Sequence, residues 1–366
     1  MIRALGMMSG TSLDGVDAAL IDTDGDRIGG FGRSAYRAYS DNEEGALHSA
    51  LGQWPGGAQV AEAAAISVAS HAALAERFPE AEVIGFHGQT LAHDPQGRGT
   101  HQAGDGGRLA RETACPVVWD FRSEDVRQGG EGAPLAPFFH WACAAWAAGQ
   151  GLLPAAPVAF LNLGGVGNIT WVDPTAAAPE AAGACLAFDT GPANAPINDL
   201  LRARRGQLRD DGGALALQGA ADPGVIANFL RHPYFERTPP KSLDRDAFAG
   251  LIQSISGLSD ADAAATLVGV LTASVVAAMR WLPSPPKTLL ICGGGRHNPA
   301  IMASLGVALP CGVQPVEAAG LDGDMLEAQA FGWLAVRVLR GLPTSGPTTT
   351  GAPAPVCGGR ISHPKP

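Results

Sequence analysis

The sequence predicts a mixed α/β protein with two domains, and three observations lead to this fold class. The chain has 366 residues, of which 46% are hydrophobic, so it exceeds the length over which one hydrophobic core usually keeps growing. Each half of the chain contains a strand, a glycine-rich turn and a second strand. Other short apolar strands alternate with helical patterns and end in polar residues, as expected at the ligand-binding edge of an α/β sheet.

The first strand pair lies in "GMMSGTSLDGVDAALID", residues 6–22. Apolar residues 4–8 and 16–21 predict the two strands of a hairpin, and small, hydroxylated and acidic residues separate them. Such a turn can offer backbone N–H groups and hydroxyls to an anion. Its glycines could instead serve only the backbone geometry of the hairpin.

The rest of the first half predicts a helix and two strands. Residues 46–78 have an alanine-rich helical pattern that ends before Pro79. "EVIGF", residues 82–86, is a strand that leads into "HGQT", and "CPVVWDF", residues 115–121, is another strand. Both strands run into polar residues at their carboxyl ends, where ligands usually bind in open sheets.

The second half repeats the plan of the first. Its predicted elements are strands at 158–163, 169–172, 186–189 and 288–292 and helices at 259–281 and 325–339. Glycines and Asn168 form the turn after the first of these strands, Asp189 ends the third, and "GGGRHN" follows the fourth. By composition alone, the Pro-, Gly- and Thr-rich residues from 341 onwards form a flexible tail.

Charge and composition argue against several classes of function. The formal net charge is −10 and no basic face interleaved with aromatic residues is visible, so nucleic acid is not an expected partner. No apolar run reaches ~18 residues and no secretory signal is visible, so we expect a cytoplasmic protein without a membrane partner. The six cysteines and nine histidines show neither CxxC nor HExxH spacing, so a metal held entirely by side chains is not expected.

The remaining motifs suit phosphoryl transfer. The sequence contains no GxxxxGK[ST], no GxGxxG between a strand and a helix, and no GxSxG, which argues against P-loop, Rossmann and serine-hydrolase proteins. Two glycine hairpins, a Gly-Gly-Gly turn and strand-end carboxylates favour a reaction that depends on positioning and charge neutralisation. Mg²⁺ would arrive with the nucleotide, and Asp14 and Asp17 stand where they can hold it.

These segments follow the order of motifs in a known family. The chain resembles the anhydro-N-acetylmuramic acid kinase family, part of the sugar kinase, Hsp70 and actin superfamily. The motifs that carry the resemblance cover nearly the whole chain: "MSGTSLDGVD", "HGQT", "WDFRSEDVRQGGEGAPLAPFFH", "NLGGVGNIT", "FDTGPANA", "GGGRHNP" and "EAQAFGWLA".

The resemblance implies two actin-like, ribonuclease H-like domains with a nucleotide cleft between them. The N-terminal domain would comprise residues 1–133 and would be completed by an ordered C-terminal segment, 341–366. The C-terminal domain would comprise residues 134–340. The implied ligands are ATP, Mg²⁺ and a small-molecule anhydro-sugar, and the superfamily is compatible with a homodimer.

The same motif matching implies the site residues. Asp189 would be the catalytic base and Asp14 the ligand of Mg²⁺. The residues implied for ATP are Gly10, Thr11, Ser12, Leu13, Asp14, Gly15, Val16, Asp17, Gly164, Gly165, Gly167, Asn168, Gly293, Gly294, Gly295 and Asn298. Those implied for the sugar are Arg122, Asp125 and Glu327, with His87 and Gln89 nearby. Structural roles stay open, because Asp17 and Asp189 could cap their own turns and His87 could be a buried structural histidine.

Members of this family are expected to convert 1,6-anhydro-N-acetylmuramic acid, ATP and water into N-acetylmuramic acid 6-phosphate and ADP, in the recycling of cell-wall fragments. Where the family has an Asp, this chain has Asn198, and the carboxylate, Asp199, follows one residue later. Leu243 and Asp244 replace the Thr-Gly pair of another family motif. These departures leave open a kinase for another anhydro-sugar, such as levoglucosan. Two rivals are a non-catalytic binding paralogue and a glycoside hydrolase that uses Asp189 and Glu327.

Overall fold

The computed structural model describes residues 1–243, 248 and 250–364. The chain forms two compact units, each with its own β-sheet. The first unit comprises Met1–Trp146, Ala177–Ala182 and Met325–Pro366, and the second comprises Ala147–Ala176 and Gly183–Asp324. The predicted domain limits, which assign residues 325–340 to the second domain, stay a prediction.

The sheet of the first unit mixes antiparallel and parallel pairing. Its strands are β1 (Ile2–Ser9), β2 (Gly15–Thr23), β3 (Ile28–Ala38), β4 (Val83–Asp94), β5 (Gly99–Ala103), β6 (Val117–Trp119) and, late in the chain, β12 (Arg360–Ser362). The order is β12-β6-β4-β1-β2-β3, and β5 pairs with β4. β1, β2 and β3 are antiparallel neighbours, whereas β4 is parallel to β1 and β6 is parallel to β4.

The sheet of the second unit has the same plan. Its strands are β7 (Val158–Leu163), β8 (Val166–Val172), β9 (Cys185–Pro192), β10 (Thr288–Cys292) and β11 (Gly312–Pro315). β7, β8 and β9 are antiparallel neighbours, β10 is parallel to β7, and β11 is parallel to β10. The repeated order of three antiparallel and two parallel strands confirms the predicted fold class, a mixed α/β chain with two actin-like, ribonuclease H-like sheets.

The helices cover these sheets and complete two hydrophobic cores. Those that begin in the first unit are α1 (Asp41–Ser49), α2 (Val60–Ala75), α3 (Gly106–Thr113), α4 (Ser123–Arg127), α5 (Ala136–Gly149) and α11 (Leu326–Leu339). Those of the second unit are α6 (Asn194–Arg205), α7 (Pro223–Phe229), α8 (Gly250–Ser254), α9 (Asp260–Met279) and α10 (Pro299–Ala308). Leu5, Phe86 and Leu109 belong to the core of the first unit, and Leu161 and Val270 to that of the second.

The single helix predicted at 46–78 is wrong, because α1 and α2 are separate. Ser40 begins α1 with a capping box in which its hydroxyl and the Glu43 carboxylate each accept from the other residue's backbone N–H. Between the two helices, Gly52 and Gly56 adopt positive φ angles of 76° and 92°, which side-chain-bearing residues rarely adopt. The local backbone therefore interrupts a helical pattern that composition alone had extended.

Helix α11 lies unusually close to the sheet of the first unit. Gly6 in β1 and Gly85 in β4 are paired across the two strands. An added Cβ would lie 1.7 Å from the backbone oxygen of Ala328 at Gly6, and 2.0 Å from that of Phe331 at Gly85. Only glycine permits this contact, which fixes the start of α11, and with it Glu327, against the sheet.

Helix α9 is long and apolar enough to cross a membrane, with 20 residues and a mean hydropathy of 1.7 over its most apolar stretch. Of its most apolar stretch, 67% is buried within the protein, and residues such as Leu267, Val270 and Leu271 belong to the core of the second unit. This burial is typical of the central helix of a packed core.

The C-terminal segment is ordered up to the end of the described residues, against the composition-based expectation of a flexible tail. β12 pairs antiparallel with β6, and the Trp119 indole N–H donates to the Ser362 hydroxyl at 3.0 Å. Val356 is buried and bridges to Ser345. The pairing partners lie far apart in the sequence, so local composition could not reveal them.

Candidate functional site

The turn between β1 and β2 presents polar groups to solvent while one apolar residue anchors it. Thr11, Ser12 and Asp14 are exposed, whereas Leu13 is buried in the core of the first unit. Leu13 adopts a positive φ of 59°, and its N–H donates to the Gly10 carbonyl at 3.3 Å. The Ser12 hydroxyl donates to Asp14 Oδ1 at 2.8 Å. The buried leucine thereby fixes a turn whose hydroxyls and carboxylate stay accessible.

Neighbouring strands hold this turn from behind. Gln89 is completely buried; its side-chain N–H donates to the Gly10 carbonyl at 3.1 Å, and its side-chain oxygen accepts from Ser9. The Asp14 carbonyl accepts from the Tyr36 hydroxyl at 2.7 Å and the Tyr39 N–H at 3.0 Å. Burial raises the pKa of Tyr39 to about 12, so its hydroxyl stays protonated. In this structure Gln89 therefore supports the turn between β1 and β2, a role that its predicted place near the sugar did not include.

The glycines predicted to bind ATP fall into two groups. The first group is required by packing, because an added Cβ would come closer than 3.0 Å to a neighbouring atom. Its members, with that neighbour, are Gly15 (Arg37 O, 2.3 Å), Gly167 (Thr190 Oγ1, 2.5 Å), Gly293 (Asn162 Oδ1, 2.2 Å) and Gly295 (Leu163 Cβ, 2.5 Å). Their presence is explained by the fold alone.

The second group has room for a side chain. An added Cβ would lie 3.5 Å from its nearest neighbour at Gly10, 3.9 Å at Gly164, 3.5 Å at Gly165 and 3.8 Å at Gly294. None of these four glycines has a positive φ. Neither packing within the described residues nor backbone strain demands glycine at these four positions.

The turn after β7 is rigidly held. The carbonyls of Gly164 and Gly165 accept from the N–H groups of Asn194 and Ala193 at 2.9 and 3.1 Å. The Asn194 side chain also donates to the Leu163 carbonyl at 2.8 Å. The start of α6 therefore fixes this second glycine turn, as Gln89 fixes the first.

The third glycine turn is braced by a buried arginine. Arg296 pairs with Glu317 at 2.8 Å and Asp324 at 2.7 Å, and donates to the Gly293 carbonyl at 3.0 Å. Asn298 accepts from the Ala300 N–H at 3.0 Å and caps α10. These contacts explain Asn298 as a helix cap, and Gly294 is the open position of this turn.

Asp189 lies within β9, which continues to Pro192 and does not end at Asp189 as predicted, and both of its carboxylate oxygens are oriented. Oδ1 accepts from the Asn168 side chain at 2.8 Å, and Oδ2 accepts from the Leu243 N–H at 2.7 Å. Each oxygen retains a further acceptor site. Burial raises the pKa of Asp189, and the two donors partly oppose that rise. An oriented carboxylate with a raised pKa is suited to accept a proton.

On the first unit, His87 orients Arg122. The Arg122 Nε–H donates to His87 Nε2 at 3.1 Å, and His87 Nδ1 lies 2.8 Å from the Gly88 carbonyl. Burial and the positive charge of Arg122 lower the pKa of His87 well below its usual value, so the ring is neutral, with its proton on Nδ1. Arg122 also donates to the Gly132 carbonyl at 2.7 Å.

Glu327 faces the charge of Arg122. It stands in the first turn of α11, where the helix dipole favours a carboxylate. Although its side chain remains accessible to solvent, the surrounding protein raises its pKa, and Arg122 opposes the rise. Burial lowers the pKa of Arg122 to about 10, with Glu327 and Asp125 opposing. Arg122 and Glu327 therefore interact electrostatically as a cation and an acceptor.

Asp125 is an internal anchor in this structure. It is completely buried and accepts from the Gly132 N–H at 2.7 Å, the Thr350 hydroxyl at 2.6 Å and the Ser345 hydroxyl. These contacts connect α4 to the C-terminal segment. The predicted contact of Asp125 with the sugar stays a prediction that the geometry does not support.

Replacing Asp125 by alanine should destabilise the fold by about 3 kcal/mol or more, because three donors would lose the acceptor that they share. Urea unfolding followed by circular dichroism measures this loss. Glu76→Ala, at an exposed position just after α2, should change the unfolding free energy by less than about 0.5 kcal/mol. An Asp125→Ala midpoint equal to that of the control would contradict the anchoring role.

No group of three or more metal-ligating side chains occurs within the described ranges. The exposed Asp14 offers one carboxylate beside the first glycine turn, and Mg²⁺ is commonly bound by one or two carboxylates together with substrate phosphates. The donor set therefore fits a cation that arrives with a nucleotide.

The two sequence departures lie in different surroundings. Asn198 and Asp199 are in α6, and Asp199 pairs with Arg202 at 3.5 Å. Leu243 donates to Asp189, while Asp244 lies outside the described residues. Asp189 also contacts three residues that were not predicted as site residues: Tyr234, Lys241 and Leu243. These residues are distant from Asp189 in the sequence, so no local motif indicates the contacts.

Known proteins match this chain over nearly its whole length. The family model described as anhydro-N-acetylmuramic acid kinase matches residues 2–364. Proteins of that name are 63% identical in Cereibacter sphaeroides, over 100% of this chain and 97% of the relative, and 57% identical in Ruegeria sp., over 100% and 96%. The relative in Rhodospirillum rubrum is 50% identical, over 98% of this chain and 93% of its own length.

Proposed function

This chain belongs to the anhydro-N-acetylmuramic acid kinase family, and we propose that it opens 1,6-anhydro-N-acetylmuramic acid with water and transfers the γ-phosphoryl group of ATP to O6. The products are N-acetylmuramic acid 6-phosphate and ADP, formed in cell-wall recycling. The observation that carries this proposal beyond family membership is Asp189, a partly buried carboxylate on β9 that is held by two donors and retains acceptor capacity.

Asp189 acts as the general base. It takes a proton from a water molecule, whose oxygen forms a bond to C1 as the C1–O6 bond breaks. The released O6 attacks the γ-phosphorus, and the bond from that phosphorus to the β–γ bridging oxygen breaks, so ADP leaves. Asn168 and Leu243 hold the carboxylate in place through the proton transfer.

The open glycines support ATP binding. Gly10, Gly164 and Gly165 lie in turns that can present backbone N–H groups to phosphate oxygens, and Gly294 lies in the turn proposed for adenosine. Asp14 would hold Mg²⁺ together with the phosphates. Bound there, the cation would neutralise phosphate charge during transfer.

Arg122 and Glu327 are the proposed contacts with the sugar, as donor and acceptor for its oxygen atoms. His87 and Gln89 act behind them, on Arg122 and on the first glycine turn. Use of ATP accords with the expected cytoplasmic location, which stays a prediction, as does the homodimer.

His87→Phe should raise the KM for the anhydro-sugar roughly 10-fold and leave the KM for ATP unchanged, because the ring remains but Arg122 loses the acceptor that orients it. Steady-state kinetics with each substrate varied in turn measures both constants. His48→Phe in α1 is the control and should change neither. An unchanged KM for the sugar in His87→Phe would show that the hydrogen bond to His87 is not required to orient Arg122.

Substrate preference tests the proposed function directly. The purified protein is given ATP, Mg²⁺ and either 1,6-anhydro-N-acetylmuramic acid, levoglucosan or N-acetylmuramic acid, and ADP is measured. ADP release with the first sugar alone is the expected result. Preference for levoglucosan would indicate a changed sugar pocket, sugar release without ATP would indicate a hydrolase, and no ADP with any sugar would indicate a binding paralogue.

A further inference from the structure

A short segment of the chain holds Asp189 from the side. β9 is the edge strand of its sheet, and the Asp189 N–H donates to the Lys241 carbonyl at 3.0 Å. Two residues on, the Leu243 N–H donates to Asp189 Oδ2 at 2.7 Å. Residues 241–243 therefore contact both the backbone and the carboxylate of Asp189, and we call them the Asp189 clamp.

The clamp is anchored by a lysine in an aromatic cage. Lys241 is 7% exposed, and its Nζ lies 4.5 Å from the ring centre of Tyr234, 5.4 Å from that of Trp281 and 5.7 Å from that of Phe188. Nζ also donates to the Tyr234 carbonyl at 3.2 Å. Cation–π contacts of this kind stabilise an ammonium group more strongly when it is desolvated than when it is exposed.

The cage and the carboxylate are built from the same residues. Phe188 directly precedes Asp189 in β9, and the Tyr234 hydroxyl donates to the Asp189 carbonyl. Moving the lysine would therefore disturb the walls that border Asp189 as well as the clamp itself.

We propose that Lys241 is a positioning residue for Asp189: its caged ammonium fixes the clamp so that the Leu243 N–H remains aimed at the carboxylate. The inference rests on the proposed role of Asp189 as the base. It adds a residue that the motif resemblance did not single out, and it assigns a task to one of only three lysines in the chain.

The charges around the clamp agree with an indirect role. Burial, Arg280 and Arg237 lower the pKa of Lys241 to about 8, and Glu236 opposes them. Burial raises the pKa of Asp189, and the Asn168 side chain and the Leu243 N–H lower it. Burial and, after it, the negative charge of Asp189 raise the pKa of Tyr234. Lys241 therefore acts on the Asp189 carboxylate indirectly, because it holds the Leu243 N–H in place. This donor favours the ionised carboxylate, which is the form that a base requires.

Lys241→Met tests the proposal, since it keeps an unbranched side chain and removes the charge. We expect kcat to fall roughly 10- to 100-fold with little change in the KM for ATP, as for a misplaced catalytic group. The acid limb of the kcat profile should move to higher pH, because Asp189 loses a donor to its ionised form. Lys287→Met, at an exposed lysine of the same unit, is the matched control and should match the wild type.

A titration separates this proposal from the proposed function. The pKa of the Asp189 carboxyl is measured by carbon-detected NMR in the ligand-free protein, with the signal assigned from Asp189→Asn. It should be higher in Lys241→Met than in the wild type whether or not the sugar turns over. Trp281→Leu, which removes one wall and keeps the charge, should raise it less. An equal pKa in all three proteins, with an unchanged acid limb, would overturn the role of Lys241.

Discussion

Asp189→Asn is expected to reduce turnover at least ~10³-fold while leaving nucleotide affinity unchanged. The amide oxygen cannot take a proton from water at neutral pH, so the attack on C1 loses its base, a loss within the range known for general acid–base groups. Asp189 lies within β9 and not in a glycine turn, so the phosphate contacts proposed for Gly10 and Gly164 are preserved.

Two measurements check this result. Turnover is followed by ADP release, and binding of a non-hydrolysable ATP analogue is followed by calorimetry. Asp211→Asn, at an exposed aspartate of the same unit, should behave as the wild type in both. Turnover of Asp189→Asn at the wild-type rate would remove Asp189 from the mechanism, and loss of nucleotide binding would move it to the nucleotide site.

The pH dependence of the wild type follows from the same carboxylate. Activity requires the ionised form, and burial raises the pKa of Asp189 above its ordinary value near 3.8. Activity should therefore fall as the pH drops through that raised pKa, and the acid limb should lie at a higher pH than an exposed aspartate would give.

Gly164→Ala is expected to raise the KM for ATP at least ~10-fold without lowering the melting temperature. The protein itself has room for the methyl group, whose nearest neighbour would be the Val166 carbonyl at 3.9 Å. A phosphate group in contact with the backbone of this turn would have no such room. Loss of about 1.4 kcal/mol of binding free energy corresponds to a tenfold change in affinity.

Steady-state kinetics and thermal unfolding together decide this prediction. Gly306→Ala in α10 is the control, because an added methyl group there meets no atom within 4 Å, and it should leave the KM for ATP unchanged. If Gly164→Ala also retains the wild-type KM, the backbone of this turn does not contact the nucleotide. A fall in melting temperature with an unchanged KM would mean that the glycine serves the fold.

Local sequence patterns predicted the elements that carry the site. The two hairpins, the strand that contains Asp189 and the strand at 288–292 could be located because periodicity, glycines and polar residues are local signals. The predicted end of that strand at Asp189 was wrong, because β9 continues to Pro192. The helix at 325–339 was located to within a residue for the same reason.

Roles that depend on distant partners could not be predicted. Gln89 supports the first turn through Ser9, which lies 80 residues earlier, and Asp125 accepts from Thr350, 225 residues later. The C-terminal segment is ordered because β12 pairs with β6, although its composition is typical of a flexible tail. The cage of Lys241 likewise assembles segments that no local pattern connects.

Oxygen-isotope labelling tests the central claim most directly. The reaction is run with 1,6-anhydro-N-acetylmuramic acid and ATP in H₂¹⁸O, and the sugar phosphate is analysed at once by mass spectrometry, with unlabelled product incubated in parallel to correct for exchange. We predict one ¹⁸O at C1, none in the phosphoryl group, and one ADP per sugar phosphate. Label in inorganic phosphate without sugar phosphate, or a sugar phosphate without label, would contradict water attack at C1 coupled to phosphoryl transfer to O6.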